Sequence, residues 1–305
     1  MMNIARLLVL ALALILSMNV RGQPYQQAES AFKRGEYTEA FAGMQRLAHN
    51  GDARAASFIG NMYRLGIGVP QDSQLAVFWY RKAADQGHAS AQFALGRMYD
   101  RGVEVPQDDQ QATYWYRKAA DQGLAEAQHR LGVKFSIGAG GLSQDKRQAE
   151  NWFRRAADQG NADAQVSLGN LYDFFGGNVI PVDKKQAVNW YRKAADQGDA
   201  QGQFNLGTMY EAGFGIAKNM QQAAFWYRQA ADQGLAAAQN SLGTLYEKGT
   251  GVPKDVELAY FWWLLSGARG DRDAKQNLDM FEKNLTPRQR ETAQSSARKW
   301  APKLK

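Results

Sequence analysis

The sequence contains no cysteine. Disulfide staples, zinc–thiolate centres and thiol nucleophiles are thereby excluded, so the fold must be held by packing alone. Histidine is almost as scarce: His49, His88 and His129 are the three copies, without sequence partners and without an H-E-x-x-H pair. There is no G-x-S-x-G nucleophile elbow and no glycine-rich phosphate loop ending in G-K-S/T. The "GIG" and "GAGG" stretches sit where turns between helices are expected. No catalytic residue, cofactor site or metal site is assigned, and the chain is read as a non-enzyme.

Long apolar runs are also missing, with one short exception. Residues 7–16 are unbroken and apolar, but a membrane span needs about 20 residues. Arg6 precedes the run, and Val20 and Gly22 occupy the positions before a cut ahead of Gln23. The pattern predicts a secretory signal peptide over 1–22, with an uncleaved anchor as the alternative. A continuous basic stripe is absent too. The formal charge is +7, from 37 basic and 30 acidic residues. Arg6 and Arg21 lie in the N-terminal segment, and residues 286–305 hold six basic residues against one acidic. The chain between them is near neutral, which argues against nucleic acid as a partner.

What is present is a repeat. "AADQG" occurs at 83–87, 119–123, 156–160, 194–198 and 230–234. Degenerate copies, "LAHNG" at 47–51 and "SGARG" at 266–270, extend the register at both ends. A period of this size is built from stacked two-helix units. The second helix of each unit, helix B, ends in the pentapeptide. Its apolar set, Ala76, Trp79, Tyr80, Ala83 and Ala84, follows i, i+3, i+4, i+7, i+8 and so lies on one face. The pattern returns with Trp115, Trp152, Trp190, Trp226 and Trp262 in the same column. The alanines allow close approach, the aromatics fill the wider space, and the glycine stops the helix.

Helix A follows, with Ala-Gln, then Leu-Gly, then an aromatic. Glycine inside a helix costs about 1 kcal/mol relative to alanine. Its return at 96, 132, 169, 207 and 243 predicts a crossing where no side chain fits. In the "GVPQD" linker, Asp72, Asp108, Asp145, Asp183, Asn219 and Asp255 share one column, the position of an N-cap on helix B. Two linkers are longer, and the insertions are expected on one rim.

These residues closely resemble the Sel1-like repeat family, α/α solenoids related to tetratricopeptide repeats. The Ala-Gln…Leu-Gly…Tyr…Gly of helix A, "GVPQD" and "WYRKAADQG" carry the resemblance over about residues 28–285. It implies an all-α fold: a right-handed α/α solenoid of about six to seven two-helix repeats. A tetratricopeptide-like capping unit is expected at 23–51, the repeats at 52–285 and a basic capping helix at 286–305. There Thr286, Pro287 and Gln289 suit a cap, a first-turn proline and a capping-box partner.

The resemblance further implies a bacterial periplasmic or secreted adaptor that binds another protein, without a cofactor and as a monomer. Family members include envelope regulators, exopolysaccharide-assembly scaffolds, host-interaction factors and immunity proteins that neutralise secreted antibacterial phospholipases. An immunity protein is therefore the alternative reading. The cysteine-rich Helicobacter branch is set aside, because it places a disulfide in each repeat.

Columns of helix A released from stacking vary along the chain, and in related solenoids this helix lines the concave surface. The residues expected to meet the partner are Phe58, Asn61, Arg97, Arg101, Arg130, Val133, Asn170, Phe174, Phe175, Asn205, Thr208 and Thr244. The i, i+4 and about i+7 spacing puts them on one face. Arginine and aromatic residues commonly anchor interfaces, so Arg97, Arg101, Arg130, Phe174 and Phe175 are the expected anchors. Asp100, Asp173, Glu211 and Glu247 form an acidic column. It is expected to be a solvated charge ladder, with a paired-carboxylate site of an envelope hydrolase as the competing possibility.

Overall fold

A computed structural model describes residues 24–103 and 105–303. The expected signal segment at 1–22 lies outside the described residues. Among those described, every regular element is a helix. They form two compact units that divide between Gln144 and Asp145. The first unit holds α1 (24–33), α2 (Tyr37–His49), α3 (Ala53–Leu65), α4 (Ser73–Asp85), α5 (Ala89–Arg101), α6 (Asp109–Asp121) and α7 (Ala125–Ile137). The second holds α8 (Lys146–Asp158), α9 (Ala162–Asn170), α10 (Lys184–Asp196), α11 (Ala200–Ala212), α12 (Met220–Asp232), α13 (Ala236–Lys248), α14 (Val256–Ala268), α15 (Arg272–Phe281) and α16 (Pro287–Lys299). Helix A of the sequence pattern is α3, α5, α7, α9, α11 and α13. Helix B is α4, α6, α8, α10, α12 and α14.

The linker acids cap helix B as expected. Asp72 accepts from the Leu75 N–H at 2.9 Å, and Asp108, Asp145, Asp183, Asn219 and Asp255 cap their own helices likewise. Such a cap is worth about 1 kcal/mol. Asp72, Asp108, Asp183, Asn219 and Asp255 also donate their backbone N–H back to helix A: Asp72 to the Tyr63 carbonyl at 3.0 Å and Asp255 to that of Tyr246 at 2.9 Å, for example. One residue thus starts helix B and ties the linker to the end of helix A.

The pentapeptide does more than pack and stop. Its alanines are buried, and Gly87 takes φ 87°, left-handed backbone that glycine adopts without a Cβ penalty. Its glutamine reaches into the repeat. Gln122 donates to Gln92 at 2.7 Å, Gln197 to Gln165 at 2.7 Å and Gln233 to Gln203 at 2.9 Å. The helix A glutamines are buried and donate to the end of the preceding helix B, Gln92 to the Ala84 carbonyl at 3.0 Å and Gln165 to that of Ala157 at 3.2 Å. These helix-end carbonyls also accept from the pentapeptide glycines, Ala84 from the Gly87 N–H at 2.9 Å and Ala157 from the Gly160 N–H at 3.0 Å, so the glutamine supplies a second donor to each. The chain of amides fails at the last copy. Arg269 replaces the pentapeptide glutamine and stacks on Trp300 instead, 4.9 Å from its ring centroid. The buried Oε1 of Gln239 is left without a partner.

The mid-helix glycines face aromatic rings of helix B in their own repeat. A Cβ at Gly60 would lie 2.8 Å from the Tyr80 ring, and one at Gly207 would lie 2.7 Å from the Tyr227 ring. Tyr80, Tyr116, Tyr191 and Tyr227 are each 1% exposed, so these rings form the centre of each hairpin. The tryptophan column is buried at 79, 115, 152, 190 and 262, whereas Trp226 is half-buried.

The insertion after α9 is not simply a longer loop. Part of it is absorbed in a π-helical turn, Leu171–Phe175, which carries Phe174 and Phe175 outward. A π-turn accommodates an extra residue without ending the helix. At the C-terminus, Thr286 and Gln289 form the expected capping box on α16. Ala293 and Leu285 of this segment pack with Tyr260. The tail then returns to α12, where Lys303 bonds Asp232 through its backbone N–H and its ammonium, both at 2.8 Å.

His88 caps α5. Its Nδ1 accepts from the Ala91 N–H at 3.3 Å, which requires that nitrogen to be unprotonated. Burial holds the ring below its usual pKa; Asp52 opposes this and Arg54 reinforces it. The unfolded chain therefore takes up this proton at higher pH than the folded one. The cap's contribution is complete above about pH 6.5 and is lost as pH falls. The first unit should melt at a lower temperature about one pH unit below that point than about one unit above it. His88→Asn, which caps without titrating, should remove part of the difference. Equal pH dependence in both proteins would count against this role.

Candidate functional site

None of the twelve expected contact residues lies in the core. Asn61, Arg97, Arg101, Phe174, Phe175 and Thr208 are exposed, and Phe58, Arg130, Val133, Asn170, Asn205 and Thr244 are half-buried. Several already have intramolecular work. The Phe58 ring meets Phe32 of α1 edge-on, centroids 4.9 Å apart. Asn61 and Asn170 accept from Tyr80 and Tyr191, both at 2.8 Å, and Thr208 accepts from Tyr227 at 3.2 Å. Asn205 reaches Asn170 at 3.4 Å, so α9 and α11 present adjoining surfaces. The residues with least internal engagement are Arg97 and Arg101 in the first unit and Phe174 and Phe175 in the second.

Three members of the acidic column, Asp100, Asp173 and Glu211, have a different role from the expected solvated ladder. Asp100 accepts from Tyr116 at 3.2 Å, Asp173 from Tyr191 at 3.4 Å and Glu211 from Tyr227 at 2.6 Å. Each carboxylate receives the hydroxyl of its own repeat's buried tyrosine. Burial pushes these phenols well above their ordinary pKa, and the neighbouring carboxylates push further. Lysines complete the arrangement. Lys134 bonds Asp100 at 2.5 Å and Asp109 at 3.0 Å, and Lys184 bonds Asp173. Burial alone would lower the Lys134 pKa; the two carboxylates outweigh it and hold it raised. These acids are held by tyrosines of their own repeats and, at Asp100, by a lysine of the next, which leaves little for acid–base chemistry.

A second network escaped the sequence reading. The arginine of "WYRKA" joins its repeat to the next. Arg81 donates to the Tyr99 hydroxyl at 2.5 Å and lies over Trp115, 5.3 Å from the ring centroid. Arg192 donates to Tyr210 at 2.7 Å, and Arg228 lies over Trp262 at 5.1 Å. In α8 the arginine is joined by Glu150, which bonds both Arg154 and the Tyr172 hydroxyl. Burial and this carboxylate push Tyr172 up to about 12. The helix B surface also exposes aromatics just before the tryptophan column. Phe78 is 56% and Tyr114 47% exposed in the first unit, and Phe225 is 50% exposed in the second. The alternation aromatic-Trp-Tyr was the signal for them.

In the first unit, α3 and α5 enclose a pocket of about 280 Å³. Asn61, Arg64, Arg97 and Arg101 bring polar groups to it, and Phe93, Ala94, Met98 and Val103 supply apolar walls. Three of the expected contact residues, Asn61, Arg97 and Arg101, are thereby brought together. Among the described residues no group of three or more His, Asp or Glu could hold a metal ion, and no helix is long and apolar enough to cross a membrane.

The Sel1 repeat model matches residues 53–88, 89–124, 125–161, 162–199, 200–235 and 236–271. The matched hairpins coincide with α3–α4 through α13–α14. A Sel1 repeat protein from Oxalobacter formigenes is 31% identical, with a TM-score of 0.74, over 80% of this chain and 96% of that one. The protective antigen c5321 of uropathogenic Escherichia coli, which displays an SLR fold, is 31% identical with a TM-score of 0.58. It is matched over 90% of this chain and 68% of its own. Immunity protein Pa5087 from Pseudomonas aeruginosa is a weaker likeness, 24% identical with a TM-score of 0.45 over 71% of this chain and 81% of that one. No curated protein sequence matches. Sel1 repeats are protein-interaction modules, and by its six matched copies, its helical hairpins and its likeness to solved relatives this chain belongs to the Sel1 repeat family.

Proposed function

We propose that the protein is an exported bacterial adaptor, acting as a monomer, that binds a partner protein through the helix A face of its repeats. The observation that carries this reading is the division of labour within helix A. The leucine, glycine and glutamine columns are consumed by packing and by buried hydrogen bonds, while Arg97, Arg101, Phe174 and Phe175 stand exposed. A solenoid face of this kind is preformed, which limits the ordering cost of association. Immunity, signalling and scaffolding roles all use such a face and differ in the partner. Export rests on Arg6 and the apolar run that follows it.

Purification from the envelope of the native host tests both parts. The mature chain should begin near Gln23, and an intact Met1 species confined to the cytosol would refute export. The co-purifying partner should be lost from Arg97→Ala, Arg130→Ala and Phe174→Ala, each costing about 1–2 kcal/mol of affinity. Phe78→Ala and Tyr114→Ala should keep it. The reverse outcome would move the interface to helix B. Loss through Arg288→Ala and Arg298→Ala alone would move it to the C-terminal helix.

A further inference from the structure

The pocket between α3 and α5 gathers positive charge that no carboxylate pairs with among the described residues. Arg64, Arg97 and Arg101 all line it. Asp100, the carboxylate beside them in sequence, is consumed by Lys134 at 2.5 Å and by the Tyr116 hydroxyl at 3.2 Å. Among the described residues none of the three guanidiniums forms an ion pair. Arg64 touches the Tyr80 hydroxyl at 3.3 Å, and Arg97 leans on Phe93, 5.9 Å from its ring centroid. Guanidinium groups are weakly hydrated and bind carboxylates in a two-pronged geometry. Guanidiniums grouped in one pocket repel one another, so an arriving anion gains from each.

The walls narrow the choice of anion. Phe93, Met98 and Val103 are apolar, and Val103 is 50% exposed. A bare phosphate or a nucleic-acid backbone would use the charge and leave this surface wet. At about 280 Å³ the space lies at the lower limit for a small-molecule site and suits one or two side chains. We propose that it receives an acidic–apolar peptide segment of the partner. One or two carboxylates would bond Arg97 and Arg101, and a large apolar side chain would cover Phe93, Met98 and Val103. This deepens the adaptor reading and rests on it.

The test is selection of a phage-displayed library of random peptides on the immobilised protein. Enriched peptides should place Asp or Glu within a few positions of Leu, Ile or Phe. One of them, resynthesised with a fluorescent label, should bind at least about tenfold more weakly to Arg97→Ala and to Arg101→Ala. It should lose affinity similarly when its own acids become amides. Both variants should melt with the wild type, because neither arginine holds an ion pair among the described residues, and binding should weaken with salt. Absence of an acidic–apolar motif would overturn the proposal, as would affinity indifferent to the two substitutions. Displacement by inorganic phosphate or by an oligodeoxynucleotide as readily as by the unlabelled peptide would also overturn it. Peptides that depend on Phe174 but not on Arg97 or Arg101 would sink the pocket and leave the adaptor standing. The adaptor reading itself fails only if the envelope preparation yields no partner.

Discussion

Gly207→Leu should destabilise the second unit by at least about 1–3 kcal/mol, the usual cost of overpacking a filled core. Even a Cβ at this position would lie 2.7 Å from the Tyr227 ring, with the Ala223 carbonyl at 3.3 Å. The ring has little freedom to yield: Tyr227 is 1% exposed, and its hydroxyl is held by Glu211 at 2.6 Å. Denaturant unfolding followed by circular dichroism reads the loss. A cycle combining Gly207→Ala with Tyr227→Leu isolates the cause. The glycine substitution should cost less when the ring is gone, because residues in contact are not additive. Wild-type stability in Gly207→Leu, or simple additivity in the cycle, would show that the ring does not set the glycine.

Gln92→Leu should have a comparable effect in the first unit for a different reason. The substitution takes the 3.0 Å side-chain donor from the Ala84 carbonyl, which keeps the Gly87 N–H at 2.9 Å, and the 2.7 Å acceptor from the Gln122 amide. Each net hydrogen bond is worth about 0.5–1.5 kcal/mol, so losing the two together should cost about 1–3 kcal/mol. Gln122→Ala should cost less, because Gln122 is exposed and only one link is lost. Gln86→Ala is the internal control. Ala56 stands where helix A of that repeat would carry its glutamine, and the Gln86 side chain reaches only the carbonyl of Lys82 in its own helix, at 3.1 Å. Its removal should be nearly neutral. If Gln92→Leu unfolded with the wild type and Gln86→Ala did not, the amide chain would have no part in stability.

Much of the helix A face was legible as a surface but not as a set of free contacts. The variable columns are exposed or half-buried, as their release from stacking implied. Their spacing could not show that the hydroxyls of Tyr80, Tyr191 and Tyr227 emerge among them and occupy Asn61, Asn170 and Thr208. Nor could it show that Asp100 would be taken by Lys134, with Arg97 and Arg101 left out of any ion pair among the described residues.

The sequence by itself determined the two-helix repeat, the caps at Asp72 through Asp255 and the stops at the pentapeptide glycines. It also determined the capping box at Thr286 and the absence of room beside Gly207. The repeat, caps and stops are local facts, decided by residues within a turn or two of one another, and the close crossing at Gly207 shows through the return of glycine at one column of the repeat. Tertiary structure decided which partners meet across sixteen or more residues: Tyr116 with Asp100, Gln122 with Gln92, Arg81 with Tyr99 and Trp115. It also decided that Arg64, Arg97 and Arg101 share one pocket. Those meetings depend on the rotation and offset of one stacked helix against the next. Side-chain volumes across several hairpins set that offset together, and no single stretch of sequence contains it.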